Sequence, residues 1–339
     1  VEHIPSLDTL VEHILHHIVL APWPNHEPEL DTEWIDDDSM SLPLRTRLGS
    51  LRVLAQWCCV QKKADLVPPV LKLLWILLGT GEVHRDQHIP LGVRSRLRLY
   101  AAQCILKLAT CDAYASLILP RMGRLSYALQ DECFQVRMHL LHDLLLYLMR
   151  NELPTEFHAA IFLVAFDPED EPRVQVASYT RRLQVLPPIV RHERLERIIV
   201  RFLHLLAHHP DLNVESPQTM CSFSRYLEFY LACVACEANV GVLARFTACV
   251  RTYIDLSLSE PSVENSRPLY AMAELAQFLI QRLADNHGWT IYPVDEEAPC
   301  PTDILRSTGT VARSVLDGEV WELLQQQPRR HRDKKTKVA

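Results

Sequence analysis

Two histidines four positions apart, His204 and His208, with Asp211 three further on, have the donor types and helical spacing to hold a metal ion. The same residues also suit a helix end, where imidazoles complement the negative end of the helix dipole just before Pro210. The helix-end reading needs no ion and is the expectation. Glu12-His13-Ile14-Leu15-His16-His17 has the residue types of a zinc-peptidase helix, but there the glutamate stands between the two histidine ligands so that it can polarise a bound water. Here Glu12 precedes all the histidines, and a half-exposed amphipathic helix accounts for the run. Cys233 and Cys236 have the spacing of a zinc knuckle or a redox pair. No second pair follows at finger spacing, and Cys221 and Cys249 lie in similar helical runs, so core packing of free thiols is expected.

Nucleophilic catalysis needs a serine or cysteine on a strained turn beside a histidine, yet there is no Gly-x-Ser-x-Gly and no glycine-rich phosphate loop. The expectation is a protein that is not an enzyme, with no catalytic residue, no cofactor and no metal. Arginines are the remaining chemical signal. Arg45, Arg47, Arg94, Arg96, Arg98 and Arg137 recur at helix starts, and equivalent positions of a repeat protein line up along one ridge. Arg94, Arg96, Arg98 and Arg137 are therefore a candidate partner-binding ridge for an acidic peptide or phosphate. The competing reading pairs each arginine with an acid of the adjacent repeat, as Asp131 or Glu132 could pair with Arg98. Of the two, pairing is the more ordinary role.

The elements that carry these residues repeat. Arg94-Ser95-Arg96-Leu97-Arg98-Leu99-Tyr100-Ala101-Ala102 is echoed by Gln135-Val136-Arg137-Met138-His139-Leu140-Leu141, with Arg98 falling on Arg137 and apolar positions on apolar positions. A period near 40 residues with two helices per unit is that of HEAT and armadillo repeats, because one helical hairpin cannot bury its apolar face alone. The expected fold class is therefore all-α, a HEAT/armadillo-like α-solenoid that winds as a right-handed superhelix of stacked hairpins. Asp131 should cap the helix that follows it by accepting a backbone N–H, with Glu132 at the positive end of the dipole.

Helices are expected at 5–19, 43–61, 65–79, 91–110, 113–129, 132–151, 154–166, 171–184, 190–209, 217–237, 239–257 and 267–286, and an acidic loop at 27–38. By domain, residues 1–290 read as helical repeat, 291–327 as an irregular segment with a short helix near 318–325, and 328–339 as a basic disordered tail. Valine at position 1 suggests a fragment of a longer solenoid. Ten scattered cysteines in a long helical chain predict reduced thiols, and no apolar run is long enough to span a bilayer. Six of the 35 basic residues, Arg329, Arg330, Arg332, Lys334, Lys335 and Lys337, crowd into the tail beside a single acid. They form a candidate nuclear-localisation cluster and leave 29 basic against 41 acidic residues elsewhere. A body of about −12 is poorly suited to gripping DNA over its whole surface.

Leu97 to Ala109, Gln130 to Arg137, Leu153-Pro154-Thr155-Glu156-Phe157, Ala165-Phe166-Asp167-Pro168 and Leu203 to Leu212 stand in an order that resembles the precocious-dissociation-of-sisters (PDS) family of sister-chromatid cohesion regulators. The similarity runs from about Leu44 to Trp289 and implies the C-terminal part of that family's HEAT-repeat region. It implies binding to the kleisin subunit of the cohesin complex, action with cohesin release and protection factors, and a nuclear, chromatin-associated location. The family's long N-terminal array is missing here, and His209 stands where the family run often carries an acid. The expected function is a non-enzymatic cohesin-associated scaffold. The alternative is a transport or adaptor α-solenoid that binds extended basic or acidic peptide segments.

Overall fold

Leucine-rich runs punctuated by proline wind into successive helices in the computed structural model, which describes residues 7–23, 32–62, 67–83, 89–295 and 300–326. The fold is all-α and of the HEAT-repeat type, with one two-stranded ribbon among the described residues. The chain divides between Phe202 and Leu203 into two units.

In the first unit, α1 (Leu7–Ile14) leads into α2 (Leu42–Gln61), α3 (Val67–Thr80), α4 (Leu91–Ala109), α5 (Asp112–Ile118), α6 (Met122–Ser126), α7 (Phe134–Met149), α8 (Asp170–Gln184) and α9 (Pro188–Arg191). Ser41 starts α2 by accepting the N–H of Leu44 on its hydroxyl, and Lys62 ends it in a left-handed conformation with φ 50°. Contacts run α2 to α4 to α7 to α8 in one layer, and from α6 through Thr155–Phe166 to His192–Glu196 in the other. Each helix thus buries its apolar face on the preceding and following repeats, as stacked hairpins must.

Several expected helices differ in detail. The span expected at 113–129 breaks into α5, α6 and two 3-10 turns, because Pro120 lacks an N–H to donate and Gly123 follows it. Thr155–Phe166 winds as a 3-10 helix, whose three-residue turn lines up the buried residues His158, Ile161 and Val164. The helix expected at 190–209 is interrupted by a π turn at His192–Glu196 before α10 (Ile199–Ala207).

The second unit holds α11 (Pro217–Val234), α12 (Val240–Cys249), α13 (Arg267–His287) and α14 (Gly318–Gln326), with α13 packed on α11 and α12, and α14 on α11. The helix expected over 239–257 stops at Cys249 and gives way to β1 (Tyr253–Asp255), which pairs antiparallel with β2 (Leu305–Ser307). Glu274 on α13 pins the segment after β2, accepting the N–H groups of Val315 and Leu316 at 3.1 Å and the Ser314 hydroxyl at 2.9 Å. None of the ten cysteines is joined in a disulfide, and burial pushes the Cys58 thiol up to about 11 and Cys104 up to about 12. Among the described residues, no helix is long and apolar enough to cross a membrane.

One buried histidine couples the first unit to pH. His158 Nδ1 lies 2.8 Å from the Thr155 carbonyl and must donate to it, which leaves Nε2 to accept the Tyr179 hydroxyl at 3.0 Å. Burial lowers the His158 pKa from 6.5 to about 4. A pKa that is lower in the folded than in the unfolded state gives stability that is present above pH 6.5 and lost as pH falls toward 4. Between pH 7.5 and 5 this one group should cost the wild type about 2 kcal/mol of unfolding free energy. Urea titrations at the two pH values check it, since the His158→Phe variant should lose that part of the slope.

Candidate functional site

The arginines at the helix starts are held by the connectors of neighbouring repeats. Arg98 on α4 makes a two-pronged contact with Asp131, Nε to Oδ2 at 2.6 Å and Nη2 to Oδ1 at 2.8 Å. Arg137 on α7 does the same with Asp167, at 2.8 and 3.3 Å. In both cases the acid stands in the turn before the next helix of the same layer. Each also accepts a backbone N–H two residues ahead, Cys133 at 2.9 Å and Glu169 at 3.0 Å. One carboxylate therefore shapes its own turn and clamps the preceding repeat. Asp131 was expected to cap α7 directly. Instead Cys133 stands at the cap position, and Asp131 braces the turn before it.

The pairs are deeply placed. The Asp167 side chain is 1 % exposed and that of Arg137 10 %. Burial works against the Arg98 charge, and the bond to Asp131 more than offsets it, so the guanidinium pKa is raised. Arg96 is buried too. Its Nε donates to the Ile35 carbonyl at 2.6 Å, Nη1 meets Asp37 at 2.7 Å, and its guanidinium lies 3.8 Å from the centre of the Trp34 ring. Arg47 repeats the pattern one unit earlier, on the carbonyls of Ile18 and Ala21 and the ring of Trp23. Arg45 bonds the carbonyls of Asp37 and Asp38 from an exposed position.

Arg94 is the open member of the ridge. Its side chain is 34 % exposed, and Nε reaches the Thr80 carbonyl and Glu82, both at 3.2 Å. It borders a cleft of about 350 Å³ that Trp75, Arg124, Tyr127 and Glu132 also line. Arg124 is exposed there, with its guanidinium 5.7 Å from the centre of the Trp75 ring. The structure thus places Arg96, Arg98 and Arg137 deep inside intrachain contacts, whereas Arg94 makes its contacts to Thr80 and Glu82 from a half-exposed position. The basic cluster of Arg329, Arg330, Arg332, Lys334, Lys335 and Lys337 lies outside the described residues.

A second cluster forms in the other unit. His204 and His208 project from α10 and the turn that continues it, and both Nε2 atoms meet one carboxylate. His204 lies 3.2 Å from Asp255 Oδ1, and His208 lies 2.6 Å from Oδ2. Burial works against the Asp255 charge, but hydrogen bonds from His204 and His208 overcome it and hold the carboxyl well below the usual range. Asp211, the acid that sequence spacing offered to these histidines, is 84 % exposed and lies beside His209 instead. Asp255 was not anticipated, because a three-residue strand leaves no periodic signal and the acid lies about fifty positions away in sequence. Cys233 is buried and Cys236 half-buried just beyond α11.

A family model described as "Sister chromatid cohesion protein PDS5 protein" matches residues 5–306. The chain is similar to sister chromatid cohesion protein pds5 of Schizosaccharomyces pombe, 27 % identical over 285 residues that make up 81 % of this chain and 23 % of that protein. The PDS5 protein of Saccharomyces cerevisiae is 21 % identical over 92 % of the chain and 28 % of its own length. PDS5 homolog A of Danio rerio is 30 % identical over 53 % of the chain and 15 % of its own length. The chain therefore spans no more than 28 % of each of these relatives.

Proposed function

The chain belongs to the PDS5 family of sister chromatid cohesion proteins, and on that premise we propose that it is a non-enzymatic scaffold of sister chromatid cohesion. It binds the kleisin subunit of cohesin and the factors that release or protect the complex, in the nucleus and on chromosomes. The family match across residues 5–306 is the observation that carries this reading. Repeated helical layers support it physically, since stacked hairpins offer extended surfaces to extended partner segments.

The receiving surface is the open edge of the arginine ridge, where Arg94 and Arg124 border the cleft beside Trp75. An exposed guanidinium beside an aromatic ring suits an acidic partner segment, which it can meet through both charge and planar stacking. Arg96, Arg98 and Arg137 support this edge from within, by their bonds to Ile35, Asp131 and Asp167. The basic cluster from Arg329 to Lys337 serves nuclear import in this reading.

The test is recovery of cohesin from nuclear extract by the 339-residue chain and by its Arg94→Glu/Arg124→Glu variant. Charge reversal at Arg98 or Arg137 would report unfolding instead, because those side chains hold buried acids. Setting like charges against a partner costs several kcal/mol, so binding by the variant should fall more than about tenfold while its circular dichroism stays that of the wild type. Failure of the folded wild type to recover any cohesin subunit overturns the scaffold reading. Equal recovery by both proteins removes the ridge edge from it.

A further inference from the structure

We propose that His204, His208 and Asp255 form a binding site for one divalent transition-metal ion of the zinc type. Each residue offers one ligand atom, and these atoms all lie within 4.8 Å of one another. Two nitrogens and a carboxylate oxygen are the donor set that zinc takes in proteins, whereas calcium and magnesium take oxygen.

One pair of ligand atoms already stands at the spacing of an ion of that size, while His208 Nε2 and Asp255 Oδ2, hydrogen-bonded at 2.6 Å, part to admit it. With bonds of about 2.0–2.1 Å, neighbouring ligands of a tetrahedral zinc lie roughly 3.3 Å apart. His204 Nε2 and Asp255 Oδ1 are 3.2 Å apart, and His204 Nε2 and the Ser257 hydroxyl 3.1 Å. The i, i+4 spacing stacks the two imidazoles one turn apart, with ring centres separated by 4.4 Å. Both present the same ring atom, Nε2, to the carboxylate.

The third ligand is braced before any ion arrives. Asp255 Oδ1 accepts the N–H of Ser257 at 2.8 Å, and the Asp255 N–H donates to the Ser266 hydroxyl at 3.0 Å. Pairing of β1 with β2 fixes the backbone beneath it. The Asp255 side chain is 3 % exposed and that of His204 9 %, but that of His208 is 30 % exposed, which leaves an approach from solvent. The Ser257 hydroxyl or a water can take the fourth position. An ion here ties α10 to β1 inside the second unit and stabilises that unit by the free energy of binding.

The experiment uses the 339-residue chain stripped with a chelator. Zinc chloride is titrated calorimetrically, and cobalt(II) is then added and followed by visible absorption. One ion per chain is expected, with the intense visible bands of tetrahedral cobalt and no thiolate charge-transfer band. Loss of an outer-shell partner alone weakens a metal site by roughly 10–100-fold. Removing a ligand in His208→Gln should therefore weaken zinc binding at least about a hundredfold, and His204→Gln should do the same. Glutamine keeps a donor for Asp255, and circular dichroism confirms the fold of each variant. Absence of saturable binding by wild type overturns the site. So does equal affinity in a folded variant, and so does a thiolate band, which would move the ion to cysteines.

Discussion

Replacing Asp167 by alanine is expected to destabilise the first unit by about 3–5 kcal/mol, the usual result of leaving one member of a buried ion pair behind. Asp167 is the junction of three contacts: the guanidinium of Arg137, the N–H of Glu169 and, through its own carbonyl, Arg173. Alanine removes the first two and leaves a guanidinium that is 10 % exposed with the carbonyls of Asp131 and Glu132 but without its carboxylate. Asp167→Asn should do less damage, because its amide oxygen can still accept from Glu169. The double variant Arg137→Met/Asp167→Leu should recover more than half of the loss, since apolar residues can replace a buried pair at little cost. Urea unfolding followed by circular dichroism distinguishes these cases. If Asp167→Ala unfolds at the wild-type midpoint, the clamp between repeats contributes nothing to stability.

Phe162→Ala should cost a similar amount, about 3–5 kcal/mol, for a different reason. The ring is 0 % exposed, in the 3-10 stretch Thr155–Phe166, and lies 5.7 Å from that of Phe202, tilted by 57°. Deleting it opens a cavity that the rigid surroundings can fill only in part. Phe162→Leu should fall between wild type and alanine. A double-mutant cycle with Phe202→Ala should return about 0.5–1.5 kcal/mol of coupling beyond the buried area. A loss under about 1 kcal/mol for Phe162→Ala would mean that neighbouring side chains close the gap.

The 39-residue echo between Arg98 and Arg137 was legible because a solenoid writes its period into the chain, and in this unit the echo marks equivalent positions with equivalent partners. Asp131 could be singled out, since it stands just ahead of an apolar helix pattern. Asp167 plays the same part but precedes Pro168, and nothing local marks it as a partner for a residue thirty positions earlier. Pro120 was legible as a breaker in principle, but apolar residues on both sides of it hid the break. The His–Asp cluster was half legible. Two histidines at helical spacing were visible, whereas their carboxylate depends on a tertiary pairing of two three-residue strands.

That strand pairing also bears on how the molecule is made. β1 finds β2 only about fifty residues later. At a synthesis rate of about 5–20 residues per second, β1 waits for roughly 2.5–10 s with its edge unmatched while α13 is translated. Closing a connection of that length carries an entropic cost that the short helical contacts of the first unit do not. The emerging chain can therefore set its early repeats as they appear. The pairing that backs Asp255 opposite His204 and His208 can form only once Leu305–Ser307 has left the ribosome.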